Sequence, residues 1–294
     1  MTQRSDFTRG THRCSRSFPL AAAVVATITL ASTAAAHDYW LIPDMFAVGS
    51  NATMHINGRQ GTRFAEGRAI ETTRVVVARI IGASSDAKIT DMTVEGTALR
   101  MHHKPIASGQ YLVVAGFTPR TFRAPPDGVI RFLRAESGAS EAARLEREQT
   151  LAGIDTVVFT AASYAATLVQ VGAAGPRAFS KTAGFPLEFV PLNDPAHFHV
   201  GDTLHVKVLG GGKPVPHIGI DAMPARDSAE SPGAAPNPRL MTLSADANGV
   251  VHVPLAKAGP WMLRSAYASR KIGGAASEWD VSRTSYVFNV GAKQ

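Results

Sequence analysis

The sequence predicts a mostly β protein with two β-sandwich-like domains and a short helical excursion in the first. Short segments of alternating apolar and polar residues recur about every ten residues, as in sandwich folds. Glycine, asparagine and aspartate turns separate these segments. Only the segment around residues 129–151 has apolar residues at helical spacing.

Residues 1–36 have the features of a cleaved secretory signal. A basic start is followed by an apolar run at 18–31, which is too short to span a bilayer, and by the small residues Ala34 and Ala36. Cleavage after Ala36 would leave a periplasmic or secreted chain that does not span the membrane. The only cysteine, Cys14, lies in this leader, so the mature chain is expected to fold without disulfides.

The first domain is predicted at residues 37–178. Strands are expected at 37–43, 52–57, 72–81, 88–94, 98–102, 109–115, 156–160 and 165–172. The helical insertion at about 129–151 has a polar character that favours a surface flap. The glycine- and alanine-rich stretch 172–184 is predicted to be the domain boundary.

The second domain is predicted at residues 184–294. Strands are expected at 187–191, 203–209, 218–222, 239–244, 250–255, 259–264 and 284–290. The segment 225–238, rich in proline, alanine, serine and glycine, is expected to be a mobile loop. Regular strand spacing with a turn at 246–249 favours an immunoglobulin-like or prealbumin-like sandwich.

Charge argues against a nucleic-acid partner. The leader's four arginines and one aspartate account for +3 of the net charge of +7, so the mature chain is only mildly basic. Its arginines are scattered singly and form no basic patch. Histidines and carboxylates are the strong metal ligands left to a chain without cysteine.

Several short motifs run in one order through the mature chain. They are HDYWL-x-P at 37–43, YA-x-TL at 164–168, PLE-x-VPL-x-DP at 186–195, and turn motifs at 201–202, 212–214, 247–249 and 259–261. In these motifs the sequence resembles an uncharacterised bacterial periplasmic family, a domain of unknown function described as the soluble component of ABC-type cobalt/nickel uptake systems. The resemblance implies a β-rich fold and a membrane metal-uptake transporter as partner. The chain departs from the family after Trp279, where a Tyr- and Trp-rich ending is expected.

His37, His55, His102 and His103 are the candidate metal ligands. Cleavage after Ala36 would give His37 a free α-amine beside its imidazole, a pair that can chelate nickel, cobalt or copper if another histidine completes the site. His55 lies on the polar side of strand 52–57 and comes near His37 if the first two strands pair. Only one of His102 and His103 can join such a site, because adjacent strand residues face opposite ways.

The other histidines are interpreted as solvent-facing. His197 and His199 follow an aspartate-proline turn and are expected in a surface loop, and His205, His217 and His252 in outward strand or turn positions.

No enzyme signature is present, so no catalytic residue is predicted. The sequence has no nucleophile elbow, phosphate loop or dinucleotide fingerprint. A copper oxidative enzyme built on an N-terminal histidine is the sharpest enzymatic alternative.

The predicted function is therefore that of a periplasmic accessory protein that binds a divalent transition metal for an uptake system. The alternative is an immunoglobulin-like module that binds a polysaccharide or a protein and holds no metal.

Overall fold

The computed structural model describes residues 38–136, 138–225 and 240–293. The predicted signal sequence, His37 and nearly all of the predicted loop 225–238 lie outside these residues. Within the described part, every helix is too short or too polar to cross a membrane.

Eighteen strands and two α-helices make up the described chain. In chain order they are β1 Asp38–Pro43, β2 Ala47–Val48, β3 Met54–Gly61, β4 Arg68–Ala69, β5 Val75–Ile81, β6 Asp86–Lys88, β7 Met92–Glu95, β8 Ala98–His103, β9 Gly109–Ala124, α1 Pro126–Ala135, α2 Ala139–Arg147, β10 Val157–Val171, β11 Leu187–Pro191, β12 Thr203–Gly210, β13 Lys213–Pro214, β14 Gly219–Pro224, β15 Met241–Ser244, β16 Val250–Pro254, β17 Gly259–Arg270 and β18 Glu278–Val290. Single 3-10 turns lie at Thr72–Arg74 and Pro195–His197. The prediction of a mostly β fold with a short helical excursion is confirmed.

The strands form three sheets. The five-stranded N-terminal sheet has the order β1-β3-β8-β7, with β4 beside β3. The nine-stranded central sheet runs β15-β14-β17-β18-β10-β9-β5-β6, with β2 beside β10. The four-stranded C-terminal sheet runs β11-β12-β13, with β16 beside β12.

The two small sheets cover opposite faces of the central sheet. Along β9, Val113 and Ala115 pack in the core beneath the N-terminal sheet, whereas Leu112 and Val114 pack in the core beneath the C-terminal sheet. Successive side chains of a strand point to opposite faces. The central sheet is therefore buried on both sides where β9 crosses it.

The helices pack on the central sheet instead of forming the predicted flap. Leu133 of α1 and Leu145 of α2 are buried in one core with Phe159 of β10 and Trp279 of β18. Each helix has an apolar stripe among polar residues, and that stripe is what it buries. The helical segments predicted within 129–151 are thus present, but their predicted exposure is wrong.

Two strands are much longer than predicted. β9 continues nine residues past the predicted end at 115, and β10 joins the two segments predicted at 156–160 and 165–172. Pro119 is accommodated in β9 because it lies where the register with β10 shifts, between Ala161 and Ser163, and a bulge tolerates the missing N–H.

Strands from both predicted domains share the central sheet. β10 pairs in parallel with β18, from Val158↔Glu278 to Thr167↔Val287. The division into 37–178 and 184–294 stays a prediction about folding units, and the hydrogen-bonded central sheet runs across it.

A buried ion cluster holds the start of β1 against the central sheet. Arg264 of β17 donates to Asp38 of β1 and, at 3.2 Å, to Asp221 of β14. These side chains are only 12–18% exposed. Burial alone would lower the pKa of Arg264, but the two carboxylates outweigh it and raise the pKa.

Replacing Arg264 with alanine should destabilise the fold strongly. Asp38 and Asp221 would keep two buried negative charges without a counter-ion, a change that typically costs about 3–5 kcal/mol. Denaturant unfolding of Arg264→Ala against the unmodified chain measures the loss. Arg131→Ala, which removes a pair between exposed side chains, should leave the free energy of unfolding almost unchanged. If Arg264→Ala lowers the free energy of unfolding no more than Arg131→Ala does, the ion cluster is not a major source of stability.

Candidate functional site

His55 and His102 form a cross-strand pair on the N-terminal sheet. The register of β3 and β8 places the two residues directly opposite each other. Their Nδ1 atoms are 2.7 Å apart, and their rings meet edge to face at 79°. Two imidazole nitrogens therefore converge on one point at a partly exposed surface.

Strand alternation sets which histidine joins the pair. Met54 and Ile56 on either side of His55 are buried, as is Met101 beside His102, so the two histidines face away from the core. His103 lies on the opposite face, where burial lowers its pKa. The structure thus brings together His55 and His102 and separates His103 from them.

A second polar group lies next to the histidine pair. The Asp44 backbone N–H donates to the His55 carbonyl at 2.9 Å. Its carboxylate accepts hydrogen bonds from Asn57 at 2.7 Å and from Arg100 at 2.9 Å. Partial burial would raise the pKa of Asp44, but these hydrogen bonds and the Arg100 charge outweigh burial and hold the pKa below 3.8. Asp44 is therefore an ionised neighbour engaged by Arg100.

The register does not bring the start of β1 to the histidine pair. β1 and β3 do pair, but Asp38 lies opposite Gly61 and Pro43 opposite Ile56. At about 3.3 Å per residue, Asp38 and His55 are about 20 Å apart along the strands. The N-terminal chelate at His37 lies outside the described residues and stays a prediction, and this register does not support a site shared with His55.

Two imidazole nitrogens that point to the same position supply two of the four ligands of a four-coordinate metal site. Nitrogen–metal distances of about 2.0–2.1 Å require the two nitrogens to lie roughly 2.9–3.4 Å apart, so a small separation of the rings would admit a cation. Among the described residues, no group of three or more His, Cys, Asp or Glu side chains is placed to hold a metal ion. Water or a partner's ligands would fill the remaining positions.

A second histidine pair was missed by the sequence interpretation. His205 of β12 lies opposite His252 of β16, with their Nδ1 atoms 2.6 Å apart and the rings at 86°. The sequence analysis placed both residues in outward positions but did not pair them. Sequence spacing gave no signal for this pair, because the register of β12 and β16 is what brings the two rings together.

A groove of about 770 Å³ opens beside Asp44. Its size lies within the range of small-molecule sites. Met45, at its edge, is 63% exposed. Its lining combines apolar and polar side chains, among them Ile42, Phe46, Leu168, Phe288, Asp44, Gln170, His197 and Asn289. The sequence analysis did not find it, because five separate segments of the chain build it.

Residues 34–269 match the family described as Domain of unknown function (DUF4198). The chain belongs to this family. The resemblance to a domain of unknown function is confirmed at that level, and its association with cobalt or nickel uptake stays a prediction. A search of curated proteins finds no match.

Similar solved structures have low identity to the chain. The Yersinia pseudotuberculosis adhesin InvE is 12% identical at a TM-score of 0.21, over 86% of this chain and 59% of the adhesin. The ICAM-5 D1–D4 ectodomain fragment is 12% identical at 0.20, over 86% and 51%. Native E. coli alpha-2-macroglobulin is 10% identical at 0.21, over 87% and 14%. The chain spans about half the length of the first two, and likenesses this loose carry no conclusion about function.

Replacing Arg100 with methionine should raise the pKa of Asp44, because burial would then be opposed mainly by Asn57. Carbon-13 NMR of the Asp44 carboxyl between about pH 2 and pH 7 would follow the change. In the unmodified chain, ionised Asp44 stabilises the fold above its ordinary pKa, and this contribution is lost as the pH falls through the lowered value. The variant should show a smaller contribution, because its folded-state pKa no longer lies as far below the ordinary value. The exposed Arg68→Met is the control, and an unshifted Asp44 in Arg100→Met would contradict the assignment.

Proposed function

We propose that this protein is a periplasmic binding protein for a divalent transition metal, with His55 and His102 as its ligands. Nickel, cobalt and copper suit this pair, since imidazole is a favoured ligand for late first-row metals. The protein would act without chemical turnover and pass the cation to a membrane uptake transporter. The observation that carries the proposal is the 2.7 Å approach of the two Nδ1 atoms on a partly exposed sheet face.

The backbone around the pair favours a preformed site. β3 is paired on both sides, by β1 and by β8. Met54, Ile56 and Met101, which flank the histidines, are at most 1% exposed. The Cβ atoms of both ligands are therefore fixed, and only side-chain rotation is needed to admit a cation.

Two protein ligands suit a carrier better than a permanent metal site. Structural metal sites use a closed set of four protein ligands, whereas a site with open positions exchanges its ligands. A cation held by His55 and His102 would leave positions open for the ligands of a receiving protein. Asp44 and Glu95 oppose the positive charge of Arg100 next to the site.

Removing both histidines should abolish binding at this place. Loss of a residue that only hydrogen-bonds to a metal ligand costs about 10–100-fold in metal affinity, so loss of both ligands should cost at least about 100-fold. Ni(II) titration followed by NMR identifies the site, because paramagnetic broadening should centre on the amides of residues 55–57 and 100–102. The His55→Ala/His102→Ala variant should lose that local broadening.

A second protein preparation distinguishes metal binding at His37 from metal binding at His55 and His102. A chain that starts at His37 is compared with the same chain carrying His37→Ala, which removes the imidazole beside the terminal amine. Equal broadening around His55 in both preparations is expected. If His37→Ala abolishes binding and the double histidine variant does not, the ligands lie at the N-terminus and the proposed site is wrong.

A binding module without metal is the second candidate, and the groove favours it. Its apolar lining, which includes Ile42, Phe46 and Leu168, fits apolar side chains of a protein partner. Met45 extends this apolar surface into solvent.

A photo-crosslinking side chain at position 45 should form one discrete adduct in exported protein if the groove binds a partner. Position 272 is the control, because Ile272 is 99% exposed and does not line the groove. Mass measurement of the adducts distinguishes the two positions. Equal labelling at both, or none at position 45, would remove the groove from consideration.

A further inference from the structure

We propose that His205 and His252 form a second site for a divalent transition metal, so that the chain binds two cations. The two residues lie directly opposite each other in the antiparallel β12–β16 pair. Their Nδ1 atoms are 2.6 Å apart and their ring centroids 4.6 Å. These values nearly repeat the geometry of His55 and His102, on a different sheet.

The backbone beneath this pair is fixed. Leu204 and Val206 on either side of His205 are fully buried, as is Val253 beside His252. Strand β12 has β11 on one side and β16 on the other. Both histidines must therefore point away from the core, because side chains alternate along a strand.

Hydrogen bonds around His205 remove backbone freedom that a chelating pair would otherwise lose on binding. Its N–H donates to Asn193 Oδ1 at 2.8 Å, and its carbonyl accepts from the Leu192 N–H at 2.8 Å. These bonds engage the backbone of His205 and not its imidazole. Such fixation of ligand positions favours metal affinity.

Charges around the pair are of both signs. Asp246 is the acidic neighbour: backbone hydrogen bonds from Val250 and Asn248 lower its pKa, and its proximity to His252 adds to the effect. Lys207 lies on the same face of β12 as His205, two residues along. The acidic neighbour favours a cation and the lysine opposes it, so the two imidazoles decide the affinity.

A simple hydrogen bond between the two rings is the competing explanation. One neutral imidazole can donate its Nδ1 proton to the other, which requires no metal. Converging nitrogens on opposite strands also describe a chelate, whose nitrogens need to lie only slightly farther apart. The two explanations differ in whether a cation replaces the shared proton.

The test is the number of cations bound, measured by native mass spectrometry with Cu(II) or Ni(II) as the probe. The protein starts at position 37 and carries His37→Ala, so that no histidine lies beside the terminal amine. The unmodified chain should bind two cations, His205→Ala/His252→Ala one, and His55→Ala/His102→Ala one. The variant lacking all four histidines should bind none.

Single variants distinguish a chelate from weak binding to isolated histidines. His205→Ala and His252→Ala should each lose the second cation, because one imidazole does not hold it. His197→Ala, which removes an exposed histidine outside both pairs, should still bind two. Copper EPR of the His55→Ala/His102→Ala variant should show coupling to two imidazole nitrogens.

The outcomes separate this inference from the proposed function. If the unmodified chain binds one cation and His205→Ala/His252→Ala still binds one, the second site is wrong and the first stands. If His55→Ala/His102→Ala still binds as many cations as the unmodified chain, the first site is wrong. If single variants keep the second cation, the pair is not a chelate and the inference is overturned.

Discussion

The structure depends on a central sheet whose two faces are both buried. Along residues 111–117 of β9, alternate residues supply two different cores, so this part of the strand has no free face. The outer faces of the two small sheets, in contrast, are open to polar side chains. Both histidine pairs lie on such outer faces, and the groove lies where β1, β10 and β18 end. The layer order thus determines where binding can occur.

The two histidine pairs show how a sheet can build a metal-binding surface without a dedicated loop. Each pair needs only two strands in register and one outward position on each strand. Because neighbouring apolar residues fix those strands, ligand geometry follows from core packing. The first pair has a hydrogen-bonded group of charged and polar side chains beside it, formed by Asp44, Asn57 and Arg100. The second pair has one acidic and one basic neighbour, Asp246 and Lys207. Two pairs of the same shape therefore stand in different electrostatic environments.

Local sequence patterns predicted individual strands, but they did not predict which distant strands pair. Alternation predicted most strands and the opposite directions of His102 and His103. A site shared by His37 and His55 was made conditional on pairing of the first two strands. These strands do pair, as β1 and β3, but the antiparallel register places Asp38 and His55 at opposite ends of the two strands. The helices were predicted in the right place, yet their burial required knowing that β10 and β18 lie beneath them. The pairing of His205 with His252 and the five segments of the groove depend on contacts between distant parts of the chain, which periodicity does not specify.

The parallel pairing of β10 with β18 has a consequence for how the protein acquires its structure. The two strands join residues 120 positions apart, and β18 is the last of the described strands. The middle of the largest sheet can close only once β18 is available. Contacts so remote in sequence slow folding, and the unpaired edge of β10 would meanwhile be open to wrong partners. Two independently folding halves would not have this exposed interval.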